Sequence, residues 1–121
     1  MSRSAPLPGR PVRGSTTGRP IMALLDLLGR RWALRILWEL RTGQPTFREL
    51  RQRCDDVSSS VLSTRLRELS EAGIVAHTGT GYTLTPAGRD LLTRLRPLSD
   101  WAARWRPAPD GPPAAVIDAD G

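Results

Sequence analysis

Apolar residues recur at helical spacing over most of this chain, and the period changes to a strand-like one over a single short stretch. Ile21, Leu24, Leu25 and Leu28 follow one another at steps of three and four. Pro20 suits the first turn of that helix, and Gly29 the position just past its end. A second helix is predicted from Arg31 to about Arg41, with Gly43 as its stop. Its residues Trp32, Ala33, Leu34, Ile36, Leu37, Trp38 and Leu40 make it apolar nearly all round, so it should be a central helix buried on most faces.

Thr46 and Glu49 have the spacing of a capping box and open a short helix to about Arg53. Phe47, Leu50 and Cys54 lie on its inner side. Asp55, Asp56 and Val57 form a turn, and Ser58 caps a helix from Ser59 to Ala72 that stops at Gly73. A short helix, a tight turn and a longer helix make a helix-turn-helix. Residues 74–78 and 82–85 are β-branched or aromatic runs around Gly79-Thr80-Gly81, which signals a hairpin. Thr85-Pro86 opens a last helix to about Arg106, with Leu91, Leu95, Leu98, Ala102 and Trp105 on one stripe and Trp101 at its edge. Pro97 should kink it. The fold class is mainly α with a small β-hairpin wing: a winged helix-turn-helix with added helices at both ends.

Composition narrows the function. The 121 residues suit one domain, and the formal charge of +6 is carried by arginines, since the chain has no Lys. A basic domain fits an anionic partner without choosing among nucleic acid, membrane surface and acidic protein. One Cys excludes an intrachain disulfide, and one His excludes a Cys/His zinc cluster. No catalytic set of nucleophile, base and orienting group can be assembled from them, so neither an enzyme nor a cofactor is expected. No apolar run is long enough to span a bilayer, and residues 1–20 lack the apolar block of a secretory signal. The expectation is a reduced, soluble, cytoplasmic protein.

Charge and composition also mark the ends. Residues 1–19 hold four Arg and no acid, and residues 107–121 hold three Asp and no base. Both segments are rich in Pro, Gly and Ala, so the expected organisation is a flexible arm over 1–19, a folded domain over 20–106 and a flexible tail over 107–121. The arm either follows DNA, as basic arms do, or has no binding role.

In the helix 59–72, Leu62, Leu66 and Leu69 fall within about 60° of one another and face the core. Ser60, Ser63, Thr64 and Arg67 lie opposite, small or extended and able to hydrogen-bond, as a major-groove helix requires. Ser58 and Ser59, at the helix start, add phosphate contacts. Arg65 flanks the apolar stripe and is open to either a phosphate contact or an internal bond. Thr46 and Arg48, and Thr78 and Thr80 in the wing, complete the candidate DNA contacts. A wing that only completes the fold is the other reading.

Cys54 reads as a small buried hydrophobe and His77 as a wing surface residue. The four Trp residues read as core and interface, with a small effector pocket near Trp32, Trp38, Trp101 or Trp105 as the other reading. Two apolar strips would lie bare on a monomer, which points to a homodimer. Its interface is expected at Ile21, Leu24, Leu25, Leu28, Leu95, Leu98, Trp101, Ala102 and Trp105. Residues 44–89 carry six Arg and five acids, which is low for a DNA surface and leaves a protein-association module as the competing class.

Four stretches together resemble the HxlR family of bacterial winged-helix regulators, which is similar to the MarR type. They are residues 25–32 (LDLLGRRW), 47–51 (FRELR), 61–69 (VLSTRLREL) and 82–88 (YTLTPAG). The resemblance implies a homodimeric DNA-binding regulator whose terminal helices form the dimer interface. An inverted-repeat operator and repression follow as expectations. Family members commonly carry a Cys just before the Pro that opens the first helix, and some sense oxidants with it. Here Arg19 stands in that place, so no redox switch is expected.

Overall fold

The computed structural model describes residues 5–108. Five helices and one hairpin follow in order: α1 (Pro20–Leu28), α2 (Ala33–Glu39), α3 (Phe47–Arg53), α4 (Ser59–Glu71), β1 (Val75–His77), β2 (Tyr82–Leu84) and α5 (Pro86–Arg104). The strands pair antiparallel, with Val75 opposite Leu84, Ala76 opposite Thr83 and His77 opposite Tyr82. This is a winged helix-turn-helix, as the periodicity predicts.

The core is built from the inner faces of α2, α3 and α4 closed by the hairpin. Ile36, Leu37, Leu40, Leu50, Cys54, Leu62 and Leu69 are fully buried in it. The helix starts match their sequence signals. Thr46 Oγ1 accepts from Glu49 N, while Thr46 N–H donates to Glu49 Oε1. That backbone donor holds the Glu49 carboxyl below its ordinary pKa. Ser58 and Thr85 cap α4 and α5 by accepting from Val61 N and Gly88 N.

Several expectations are corrected. α2 starts at Ala33, because Trp32 sits in the left-handed region at φ 74°. Nor is α2 buried all round: Leu34 and Trp38 are 50% and 44% exposed. Helical periodicity shows that a residue is apolar, but what covers it depends on which neighbours pack there. Leu28, expected at a dimer interface, is buried in the core of the single chain, and Leu24 and Leu95 pack partly against that core. α5 ends at Arg104, two residues short of the expected Arg106, with Pro97 inside it. Thr93, whose carbonyl loses its helical donor to Pro97, is exposed, so that oxygen can turn to water.

The N-terminal segment makes contacts that its composition did not reveal. Ala5 and Pro6 are buried, and Ala5 N–H donates to Glu71 Oε1 at the end of α4. Gly9 N–H donates to Gly18 O, and Val12 pairs with Ser15, so residues 9–18 close on themselves. Gly18, at φ +73°, lies so close to the Arg10 backbone that a Cβ would stand 2.1 Å from Arg10 O. Turn geometry orders this segment against the domain, and turns leave no hydrophobic period to read. Of the expected tail, only Pro107 and Ala108 lie within the described residues, and both are exposed.

Candidate nucleic-acid interface

The helix-turn-helix is α3, a turn centred on Asp55, Asp56 and Val57, and α4. Asp55 and Asp56 both adopt φ +57°, which Asp tolerates better than most residues. Arg51 Nε donates to Val57 O at 2.6 Å and closes the turn. Arg35, on α2, reaches Glu39 Oε2 at 2.8 Å, Asp55 Oδ2 at 3.1 Å and Arg53 O at 2.7 Å. Arg53 in turn donates to Glu39 O and Thr42 O. These arginines fix α3 against α2 and brace the turn.

On α4, Leu62, Leu66 and Leu69 are buried and Ser59, Ser60 and Ser63 are exposed, with Thr64 and Arg67 half-buried at the margins. Ser58 is exposed and spends its hydroxyl on the cap. Arg67 Nη1 lies 3.3 Å from Glu71 Oε2. Arg65 turns inward, and here the structure chooses between the two open readings. Its Nε donates to Arg31 O at 2.7 Å and its Nη1 to Glu68 Oε1 at 2.8 Å. Glu68 is buried and also accepts from Arg30. The sequence reading missed this arrangement. Its only signal was an Arg and a Glu three residues apart flanking a leucine stripe.

Thr46 is exposed but committed to its cap, while Arg48 is exposed and its side chain makes no hydrogen bond or ion pair among the described residues. In the wing, the Thr78 and Thr80 hydroxyls both reach Gln44 Oε1 at 3.2 Å, and Thr78 also accepts from Gly81 N–H. Tyr82 N–H donates to Pro45 O, and Gly81 packs so tightly there that a Cβ would stand 2.3 Å from that oxygen. The wing is therefore tied to the loop before α3. His77 is exposed and stacks on Tyr82 at 4.4 Å between ring centroids.

The four tryptophans do not form one pocket. Trp32 packs on the core, Trp101 and Trp105 stack at 5.7 Å near the end of α5, and Trp38 lies beneath the Arg41 guanidinium. Between α2 and α5 runs an apolar groove of about 690 Å³, lined by Leu34, Trp38, Leu92, Leu95, Leu98 and Ala102 among others. No group of His, Cys, Asp and Glu suited to a metal occurs among the described residues. No described helix is long and apolar enough to cross a membrane.

A family model described as HxlR-like helix-turn-helix matches residues 27–110. This chain belongs to the HxlR-like helix-turn-helix family. It is 35% identical over 103 residues to an HTH-type transcriptional regulator of Mycobacterium tuberculosis, across 79% of this chain and 65% of that protein. It therefore spans just under two thirds of the length of that relative. It is 33% identical over 88 residues to the HTH-type transcriptional regulator YvaP of Bacillus subtilis, across 67% of this chain and 82% of the relative. Among solved structures, quinone-bound YodB of Bacillus subtilis is 30% identical with a TM-score of 0.67, covering 70% of this chain and 97% of YodB. A MarR-family regulator of Enterococcus faecalis is 31% identical with a TM-score of 0.65, over 69% of this chain and 83% of its own. The family is one of transcription regulators, not of enzymes.

In this HxlR-like chain the residue before the first helix is Arg19, which is exposed, and the one Cys is elsewhere. Cys54 is fully buried beneath α3, and desolvation pushes its thiol pKa up. Native protein is therefore expected to react with a thiol reagent such as Ellman's only after denaturation. Fast labelling of the folded chain would show that the thiol is reachable.

Proposed function

We propose that this chain is a DNA-binding transcription repressor that places α4 in the major groove and binds an inverted-repeat operator as a homodimer. The observation that carries the reading is the division of α4. Its leucines are buried, and the opposite face offers short hydroxyl side chains and Arg67 beside a braced wing. A slim polar helix held rigidly by its other face is what base readout needs. Arg48 lies in the first turn of α3, and Ser58 and Ser59 lie at the start of α4; all three are exposed and available to backbone phosphates. The homodimer rests on exposed apolar side chains: Ile21 and Leu25 on α1, and Leu98, Trp101, Ala102 and Trp105 on or just after α5. Leu34 and Trp38 join that surface, so we assign the groove between α2 and α5 to the second copy before any small-molecule effector. Repression is proposed as occlusion of polymerase by a dimer seated on its operator.

The test is operator affinity, with the operator selected from genomic promoter fragments. Arg67→Ala, and separately the triple Ser60→Ala, Ser63→Ala, Thr64→Ala, should each weaken binding by about 1–3 kcal/mol per lost base contact. Their melting temperatures should stay near that of the parent. Wild-type affinity in both variants would take α4 out of the groove.

A further inference from the structure

Positive charge is scarce in the helix-turn-helix and wing of this chain. Residues 44–89 carry six Arg against five acids. Arg51 and Arg53 donate to backbone carbonyls, and Arg65 is held by Glu68. Residues 5–43 carry seven Arg against two acids, so the excess lies in the arm and the first two helices.

Part of that excess converges beside α4. A cleft of about 450 Å³ lies between the arm, the α1–α2 turn and α4, and Arg13, Arg30, Arg31, Thr64, Arg65 and Glu68 line it. Its charges alternate. Asp26 Oδ1 stands 3.9 Å from both Arg13 Nε and Arg30 Nε, Arg30 donates to Glu68, and Glu68 accepts from Arg65. The carboxylates lie inside, with the Asp26 and Glu68 side chains 7% and 2% exposed, while Arg13 is 79% exposed. The Arg31 guanidinium has no acidic partner among the described residues, and that residue is exposed. Shielded acids orient the guanidinium groups, and an approaching anion meets their outward N–H donors. Four cations against two covered anions leave the mouth positive. The arm is also held in place, because Arg13 N–H donates to Asp26 Oδ2 at 3.1 Å.

Thr64 belongs both to this cleft and to the outer face of α4. The cleft is thus continuous with the surface proposed to face DNA. We propose that it is a phosphate-binding site of the protein–DNA interface, in which Arg13 of the N-terminal arm and Arg31 of the α1–α2 turn clamp a backbone phosphate of the duplex that α4 reads. This rests on the major-groove reading of α4. Arg13 lies outside the segment matched by the family, so the arm adds a contact that the helix-turn-helix lacks.

Phosphate contacts position the protein without reading sequence, and each one steepens the salt dependence by about 0.9 in log–log slope. Arg13→Gln and Arg31→Gln should therefore weaken binding to operator and to random-sequence duplex alike. The double variant should lower the salt slope by between about 1 and 2. Losing one contact makes the deficit about 3.5-fold larger at 50 mM than at 200 mM salt. Both side chains are exposed, and unchanged melting curves would show the variants folded. If the α4 triple variant loses operator discrimination while the double variant keeps the wild-type slope, the clamp is wrong and the α4 reading stands. If neither affects binding, the α4 reading is wrong as well. Stabilisation of wild type by inorganic phosphate, absent in the double variant and with an unchanged DNA salt slope, would make the cleft a free-anion site and overturn the proposal.

Discussion

The double variant Leu98→Glu, Trp101→Glu is expected to sediment as a monomer and to lose operator affinity on the order of 10²-fold or more. The magnitude follows from avidity, since joining two half-site contacts raises affinity by roughly 10²–10⁴ without any new interaction. Leu98 and Trp101 are 60% and 53% exposed in the single chain, so charges there should not disturb its core. Leu98 lines the groove between α2 and α5 with Leu34 and Trp38, and Trp101 extends the exposed apolar surface of α5 beyond it. Burying a carboxylate there without a partner is strongly unfavourable. Two α4 helices related by a two-fold axis reach half-sites about 10–10.5 bp apart, or a multiple of that. Wild-type protein that is monomeric at micromolar concentration yet binds its operator tightly would end the dimer proposal.

Glu68→Ala is expected to destabilise the domain by about 3 kcal/mol, at the low end of the range for breaking a buried ion pair. Glu68 is the shared acceptor of Arg30 and Arg65, so its removal leaves two cations with no anion between them. The Arg30 and Arg65 side chains are 16% and 19% exposed, and that access lets water offset part of the loss. For a domain of this size the melting temperature should fall by roughly 12 °C or more. Glu68→Gln keeps an acceptor and the shape, and should cost less. Chemical denaturation of the three proteins decides it. A Glu68→Ala variant within about 1 kcal/mol of wild type would show that the network adds nothing to stability.

Local order was largely legible in the sequence. The Thr46–Glu49 box, the Ser58 cap and the Thr85-Pro86 start each act over three or four residues, and the structure has all three helices beginning there. The α4 stripe was legible for the same reason, because Leu62, Leu66 and Leu69 share a face whatever surrounds them. Cys54 could be placed in the core because it follows Leu50 by one helical turn.

Long-range pairing was not legible. Arg65 looked equally able to reach phosphate or protein, and its partner Arg31 lies 34 residues earlier. In the sequence Glu68 is one acid among several; Arg30, just past the end of α1, sets it apart by donating to it. Leu34 and Leu28 are both leucines at helical spacing, yet one is half exposed and the other buried. The arm carries turn residues and no period, so nothing in its pattern announced that Arg13 would meet Asp26. By itself the sequence determined the elements, their order, the inner face of α4 and the family resemblance, because these depend on neighbours a few residues apart. The tertiary structure decided which arginines serve the fold and which face outward. That choice depends on where a carboxylate from a distant segment comes to rest, and burial then makes the pairing obligatory.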